Sequence, residues 1–307
     1  MAETKFMKSV ADRLKENRQD ITVKQYLRRL TLINEDKPFR TLSFLRDYDT
    51  IVQRLQDKQE GTRISYYTAI ITILSLFPRM NAIKKKYEKD YIELITKRKA
   101  FDESHEKTEQ QKKSMIPMDT INEKRKQLKE EVEKMSRKDK LTRGEFDKVL
   151  QHLLVEFYTA IPPRRNQDYA YMYVVDIKPE VMDQSKNYLV MSEKKFVFNK
   201  YKTAKIYGCV QIDIPECLMD VIHTYLLRHP ENDKDEFVLL VNADGSEVNK
   251  LNGITRILNR AFEGCVGATA LRHIFVSDKF ADNVKEREEV AKAMSHDVAT
   301  QGKYIKI

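Results

Sequence analysis

Residues 141–169 read LTRGEFDKVLQHLLVEFYTAIPPRRNQDY, and the organisation of the chain turns on this stretch. Thr142 followed three residues on by Glu145 is the pattern of a capping box, in which each side chain satisfies a free amide at a helix start. Phe146, Val149, Leu150, Leu153, Leu154 and Phe157 then recur at the spacing of a helix face turned toward a core. Pro162 and Pro163 stop that helix, because neither donates a backbone hydrogen bond and each disfavours helix in the residue before it. A domain that begins near Thr142 thus opens on a core helix and presents Arg164 and Arg165 directly after a stiff turn.

Downstream, Tyr188–Met191, Lys195–Tyr201 and Cys209–Ile214 are rich in β-branched and aromatic residues with short turns between them, which predicts a small antiparallel sheet. Helices are predicted over Glu216–Leu227, Lys250–Phe262, Ala270–Phe280 and Lys285–Met294. Upstream, the first 80 or so residues read as short helices. Thr22 and Gln25 make a second capping-box pattern ahead of Val23, Tyr26, Leu27, Leu30 and Ile33. Another helix is predicted over Asp47–Leu55, and a third from Thr62 until Pro78 ends it. Between these halves the composition shifts to dense Lys and Glu, with one charged helix expected over Ile121–Met135. The expected organisation is a helical domain at 1–82, a charged linker with an amphipathic helix at 83–140, and a second domain at 141–307. The fold class is mainly α with a small antiparallel β-sheet.

Lys and Arg number 56 against 47 Asp and Glu, a formal charge of +9. Such a balance favours a polyanionic partner, nucleic acid first and an acidic membrane surface second. Lys84-Lys85-Lys86 reads as a solvated helix end rather than a nuclear address. The three cysteines, Cys209, Cys217 and Cys265, make no CxxC pair and no zinc-ligand pattern with the histidines. They are expected as buried reduced thiols, hence an intracellular protein. The N-terminus lacks the apolar core of a signal peptide, and no stretch is apolar for long enough to span a bilayer.

Four groups of residues can carry chemistry together: Arg164-Arg165, the lysine-rich turn Lys200 to Lys205, Arg272-His273, and His296 followed by Tyr304. Phosphoryl transfer to a side-chain oxygen needs an oxygen nucleophile, cations on the nonbridging oxygens and an acid for the leaving oxygen. This set supplies all three with no metal cluster, cofactor or glycine-rich phosphate loop in the pattern.

Their order resembles the tyrosine recombinase (phage-integrase) family: Arg, hairpin Lys, His-x-x-Arg, His or Trp, then Tyr. The matching segments are IPPRRNQDY (161–169), KYKTAKIYG (200–208), TALRHIFVSDKF (269–280) and MSHDVATQGKYIK (294–306). The chain is most similar in look to integrases of large DNA viruses and virophages, which share a Pro-Pro-Arg opening. TVKQYLRRL (22–30) and RISYYTAIITIL (63–74) resemble the family's helical core-binding domain. The resemblance implies a core-binding domain on double-stranded DNA and an α+β catalytic domain. It implies Tyr304 as nucleophile of a 3′-phosphotyrosyl intermediate, with Arg272 and His296 at the scissile phosphate. The first arginine falls on Arg165, which sets Asp168 three residues on, or on Arg164, which suits the turn. Lys202 matches the hairpin lysine, with Lys205 the alternative. Thr269 stands where the family has the first histidine of His-x-x-Arg, and is read either as a phosphate donor or as a helix cap. His273 is expected to be a buried histidine orienting the helix, with catalysis as its other reading. The resemblance further implies a tetramer assembled on paired DNA sites, and a viral enzyme working in the host nucleus or cytoplasm. A type IB topoisomerase, or a non-catalytic DNA-binding protein with a decayed site, are the competing readings.

Overall fold

The computed structural model describes residues 3–176, 182–248, 252–264 and 266–293. The chain divides into two compact units, Met1–Glu106 and Lys107–Ile307.

The first unit is helical: α1 (Lys5–Lys15), α2 (Asp20–Ile33), α3 (Tyr48–Gln56), α4 (Glu60–Leu74) and α5 (Asn81–Glu103). Thr4 caps α1 by accepting from the Met7 amide, and Asp47 caps α3 by accepting from Thr50. The expected box at Thr22 does not form. Helix α2 starts earlier, at Asp20, which places Thr22 inside its first turn. Val23, Leu27, Leu30, Tyr67, Ile70, Ile73 and Leu74 fill the core. Tyr87 and Leu94 of α5 join them, so the segment expected as the start of a linker is part of this core. The Tyr48 and Tyr67 hydroxyls donate to Asp90 at 2.6 and 3.2 Å, and the Tyr87 hydroxyl donates to the Leu45 carbonyl at 2.9 Å. The two bonds to Asp90 tie α5 to α3 and α4, and the third ties it to the turn that precedes α3.

The second unit begins with α6 (Glu109–Ser114), α7 (Met118–Met135) and α8 (Arg143–Phe157). The rest of the expected linker is here too: Ile121, Leu128 and Val132 of α7 are buried against α8. The Thr142–Glu145 capping box is present, with both amides satisfied at 2.9 and 3.3 Å. Helix α8 is more than amphipathic, since every residue from Val149 to Phe157 is buried. Helix α7, α11 (Glu216–Leu226) and α12 (Gly253–Ala261) all pack on it, as expected of a helix enclosed on all sides. Arg125 of α7 makes a two-pronged pair with Glu156 of α8 at 2.8 Å on each side, and Gln151 donates to Asp147 at 2.8 Å, leaving the buried Gln151 Oε1 without a partner among the described residues.

The turn after the double proline leads into the short helix α9 (Asn166–Ala170), then β1 (Met172–Val175), β2 (Asn187–Val190) and β3 (Lys195–Phe198). The helical turn α10 (Ala204–Tyr207) separates β3 from β4 (Val210–Asp213), and β5 (Glu236–Val238) follows α11. The strand order is β4-β3-β2-β1-β5. The sheet is mixed rather than antiparallel as expected, because β1 pairs with β2 in parallel while the other three pairings are antiparallel. Residues of β2 and β3 alternate between two buried clusters: Leu189, Phe196 and Phe198 face the main core, and Tyr188, Val190 and Val197 face the other side. The last described helix, α13, runs unbroken over Ala268–Ala293, where two helices were expected. Cys209 and Cys217 are exposed rather than buried, and Cys265 lies outside the described residues.

Candidate active site

The double-proline turn delivers its two arginines to different surroundings. Arg164 is held on three sides: its Nε donates to Asp168 Oδ2 at 3.0 Å, and its guanidinium lies 3.9 Å from the Phe198 ring centre and 5.0 Å from that of Tyr201. Asp168 is 2% exposed, and burial pushes its carboxyl above the usual carboxylate range, although Arg164 and then Arg165 pull it back. Such a carboxylate needs a close cation to stay charged, and Arg164 is committed to that task. Arg165, the residue before α9, has no hydrogen-bond acceptor for its side chain among the described residues and faces a cleft of about 470 Å³.

The opposite wall of this cleft is the start of α13: Gly267, Ala268, Thr269, Ala270 and Arg272. Backbone amides of a first helical turn have no partner within the helix and point along its axis, so a long helix start attracts an anion. Gly267 lets this turn approach α12 closely, since a Cβ there would stand 3.2 Å from the Thr255 methyl. Asn166 fixes the near wall. Its Nδ2 donates to the Thr255 hydroxyl at 2.9 Å, and its Oδ1 accepts from the buried Tyr158 hydroxyl at 2.7 Å. The residue next to Arg165 is therefore clamped to α8 and α12 at once. Two guanidiniums, a threonine hydroxyl and a helix start converge on one concavity, a donor set suited to a phosphate diester.

Thr269 lies within the first turn of α13 and is exposed, so the expectation of a cap preceding the helix is not met. His273 is also exposed rather than buried. It lines an adjoining groove of about 550 Å³ with Pro162, Pro163 and Phe280, a groove that Thr269 and Arg272 share. Lys202 and Lys205 are exposed on the turn between β3 and β4 and do not line the cleft. His296 and Tyr304 lie outside the described residues.

Asn187 was not singled out from the sequence. At 1% exposure its Oδ1 accepts from the Asn199 and Lys200 amides at 2.9 and 2.8 Å, while its Nδ2 donates to the Asp168 and Lys200 carbonyls at 2.8 and 3.0 Å. One buried amide thus joins the root of the lysine turn to the helix that follows Arg165. No signal in a lone Asn at the start of a strand gives this away; it becomes visible only when both backbone segments meet.

No family model, curated protein or solved structure matches this chain. No described helix is long and apolar enough to cross a membrane.

Proposed function

We propose that this chain is a tyrosine recombinase, a DNA strand-transfer enzyme that cuts and rejoins duplex DNA through a 3′-phosphotyrosyl bond to Tyr304. The observation that carries the reading is the cleft shared by Arg165, Thr269 and Arg272, which unites residues far apart in sequence around the donors a phosphate diester needs. Between the neighbours, Arg165 is the catalytic arginine and Arg164 the residue that braces it, because Arg164 is spent on Asp168, Phe198 and Tyr201.

In this reading the Tyr304 phenol gives up its proton to solvent as its oxygen attacks the scissile phosphorus in line, and the bond to the 5′-oxygen breaks as that oxygen takes a proton from Lys202 of the turn. Arg165, Arg272 and His296 hold the nonbridging oxygens, whose charge grows in the transition state, so they stabilise it more than the ground state. The covalent bond stores the energy of the cut, and a 5′-hydroxyl from a partner duplex then displaces the tyrosine. Thr269 donates its hydroxyl to phosphate but cannot take up a proton as histidine would. That departure favours the second reading, a DNA-binding protein whose cleft holds phosphate without cutting.

Trapping on a nicked duplex, from which the cut releases a short fragment, separates the two. Wild-type protein should become covalently attached to DNA, and Tyr304→Phe should keep its duplex affinity while losing the adduct. A protease-sensitive adduct formed by the Phe variant would overturn the assignment of the nucleophile. Duplex binding with no adduct from either protein would favour the second reading.

A further inference from the structure

The turn between β3 and β4 carries the most exposed large apolar side chain of the described residues, Ile206 at 76%, beside Tyr207 at 70%. Both belong to α10, a single helical turn closed by Gly208 at φ 67°, a conformation that favours glycine. The support beneath them is braced. Asn187 pins the root of the turn through Asn199 and Lys200, and the Tyr201 hydroxyl donates across it to the Gly208 carbonyl at 2.8 Å. An adjacent Ile and Tyr held in water forgo the free energy of burial, which a partner with an apolar interior would return.

Charge narrows the partner. Lys200, Lys202 and Lys205 surround the pair, and no acidic residue occurs between Asn199 and Gly208. Among the described residues, none of these lysines is in an ion pair; the Lys200 ammonium lies 5.6 Å from the ring centre of the half-exposed Tyr171. An apolar point ringed by cations suits a polyanion with flat apolar surfaces inside, which describes stacked bases between phosphates. Position agrees: the Tyr201 ring touches Arg164, the neighbour of the arginine that faces the cleft.

We propose that Ile206 and Tyr207 form a wedge that enters a base step of bound duplex DNA, while Lys200 and Lys205 grip the flanking phosphates. The proposal rests on the reading of the chain as a DNA enzyme. Side chains inserted this way unstack a step and kink the duplex, and an aromatic ring replaces part of the lost stacking. Phosphate contacts alone would position the turn without opening the stack.

The test uses full-length protein, mixed-sequence duplexes with 2-aminopurine at their TA steps, and vesicles containing phosphatidylserine. Wild-type protein should raise 2-aminopurine fluorescence about threefold on binding, as a base leaves its stack. The double variant Ile206→Ser/Tyr207→Ser, altered only at exposed positions, should bind roughly tenfold more weakly and give no rise. Tight binding by wild-type protein without a rise, or a rise undiminished in the double variant, overturns the wedge and leaves the strand-transfer reading standing. A variant that loses vesicle binding but keeps duplex affinity moves the tip to a lipid surface and also overturns it. Failure of wild-type protein to bind any duplex overturns the DNA reading itself, and the wedge with it.

Discussion

Replacing Asn187 by Ala should weaken the second unit far more than the loss of one polar side chain suggests. Four hydrogen bonds disappear together, to Asn199 N, Lys200 N, Lys200 O and Asp168 O. Lys200 is exposed, so its two backbone groups regain water. Asn199 and Asp168 are 8% and 2% exposed, and the groups they leave behind stay dry. Two buried, unsatisfied backbone groups cost about 1–3 kcal/mol each, so the loss should be roughly 2–6 kcal/mol. A domain's net stability is about 5–15 kcal/mol, which makes this a large fraction. Asn187→Asp should be at least as damaging at neutral pH, because it sets a carboxylate against two carbonyls, and it should recover partly in acid when the carboxyl becomes a donor. Urea titration followed by tyrosine fluorescence gives the stability, and hydrogen exchange over residues 196–205 gives the location. If Asn187→Ala stays within about 1 kcal/mol of wild type and the Asn199 and Lys200 amides exchange no faster, Asn187 is not the brace described above.

Arg125→Ala should cost about 3–5 kcal/mol in urea titration, because the Glu156 side chain, 9% exposed, would lose the guanidinium that holds both its oxygens; Glu156→Gln, which keeps one acceptor for the guanidinium, should cost less. His152 and His229 are buried, and burial pushes both below the ordinary value of 6.5, so the unfolded chain takes up protons that the folded one refuses. Stability should then fall as pH drops below about 6.5, by at most about 1.4 kcal/mol per pH unit for each histidine until the lowered folded value is passed; a slope unchanged in His152→Gln/His229→Gln would refute this. Arg164→Ala should lower the melting temperature by uncovering the Asp168 carboxylate, whereas Arg165→Ala should leave melting near wild type and remove DNA adduct formation by at least about a hundredfold. Equal effects of the two substitutions on melting would remove the distinction between them.

The sequence is most informative where local and global demands coincide. Helix α8 has a capping box, a strong apolar repeat and a proline stop, and all three reflect its place at the centre of the second unit. Where an element meets the core through few side chains, the pattern fades. Helix α5 is 23 residues long but buries only Tyr87 and Leu94, seven apart, so its Lys- and Glu-rich exterior reads as a linker. Strand β5 has only three residues, too short for any period to register, and β1 follows α9 after the single residue Tyr171, with no turn signal to mark its start; without β1 the parallel pairing cannot be anticipated. The Thr22 pattern misled for a related reason: a capping box is a local preference, and the core demands of Val23 and Leu27 are met equally well by a helix that starts at Asp20.

The cleft shows the same division more sharply. Residue types identify what can hold a phosphate, and Arg272 with Thr269 could be read from a single helical run. Choosing between Arg164 and Arg165 is a different problem, because both follow the same prolines and both can reach Asp168 in sequence terms. The choice depends on Phe198 and Tyr201, contributed by a strand and a turn some thirty residues downstream, which offer their ring faces to one guanidinium only. A cation stacked between two rings and paired with a buried carboxylate gives up much of its hydration and its freedom to meet a ligand. Its neighbour, with no such partner, keeps both. Availability is thus conferred on Arg165 by what Arg164 is bound to, so the arginine that binds most within the protein is the one with least left for a ligand.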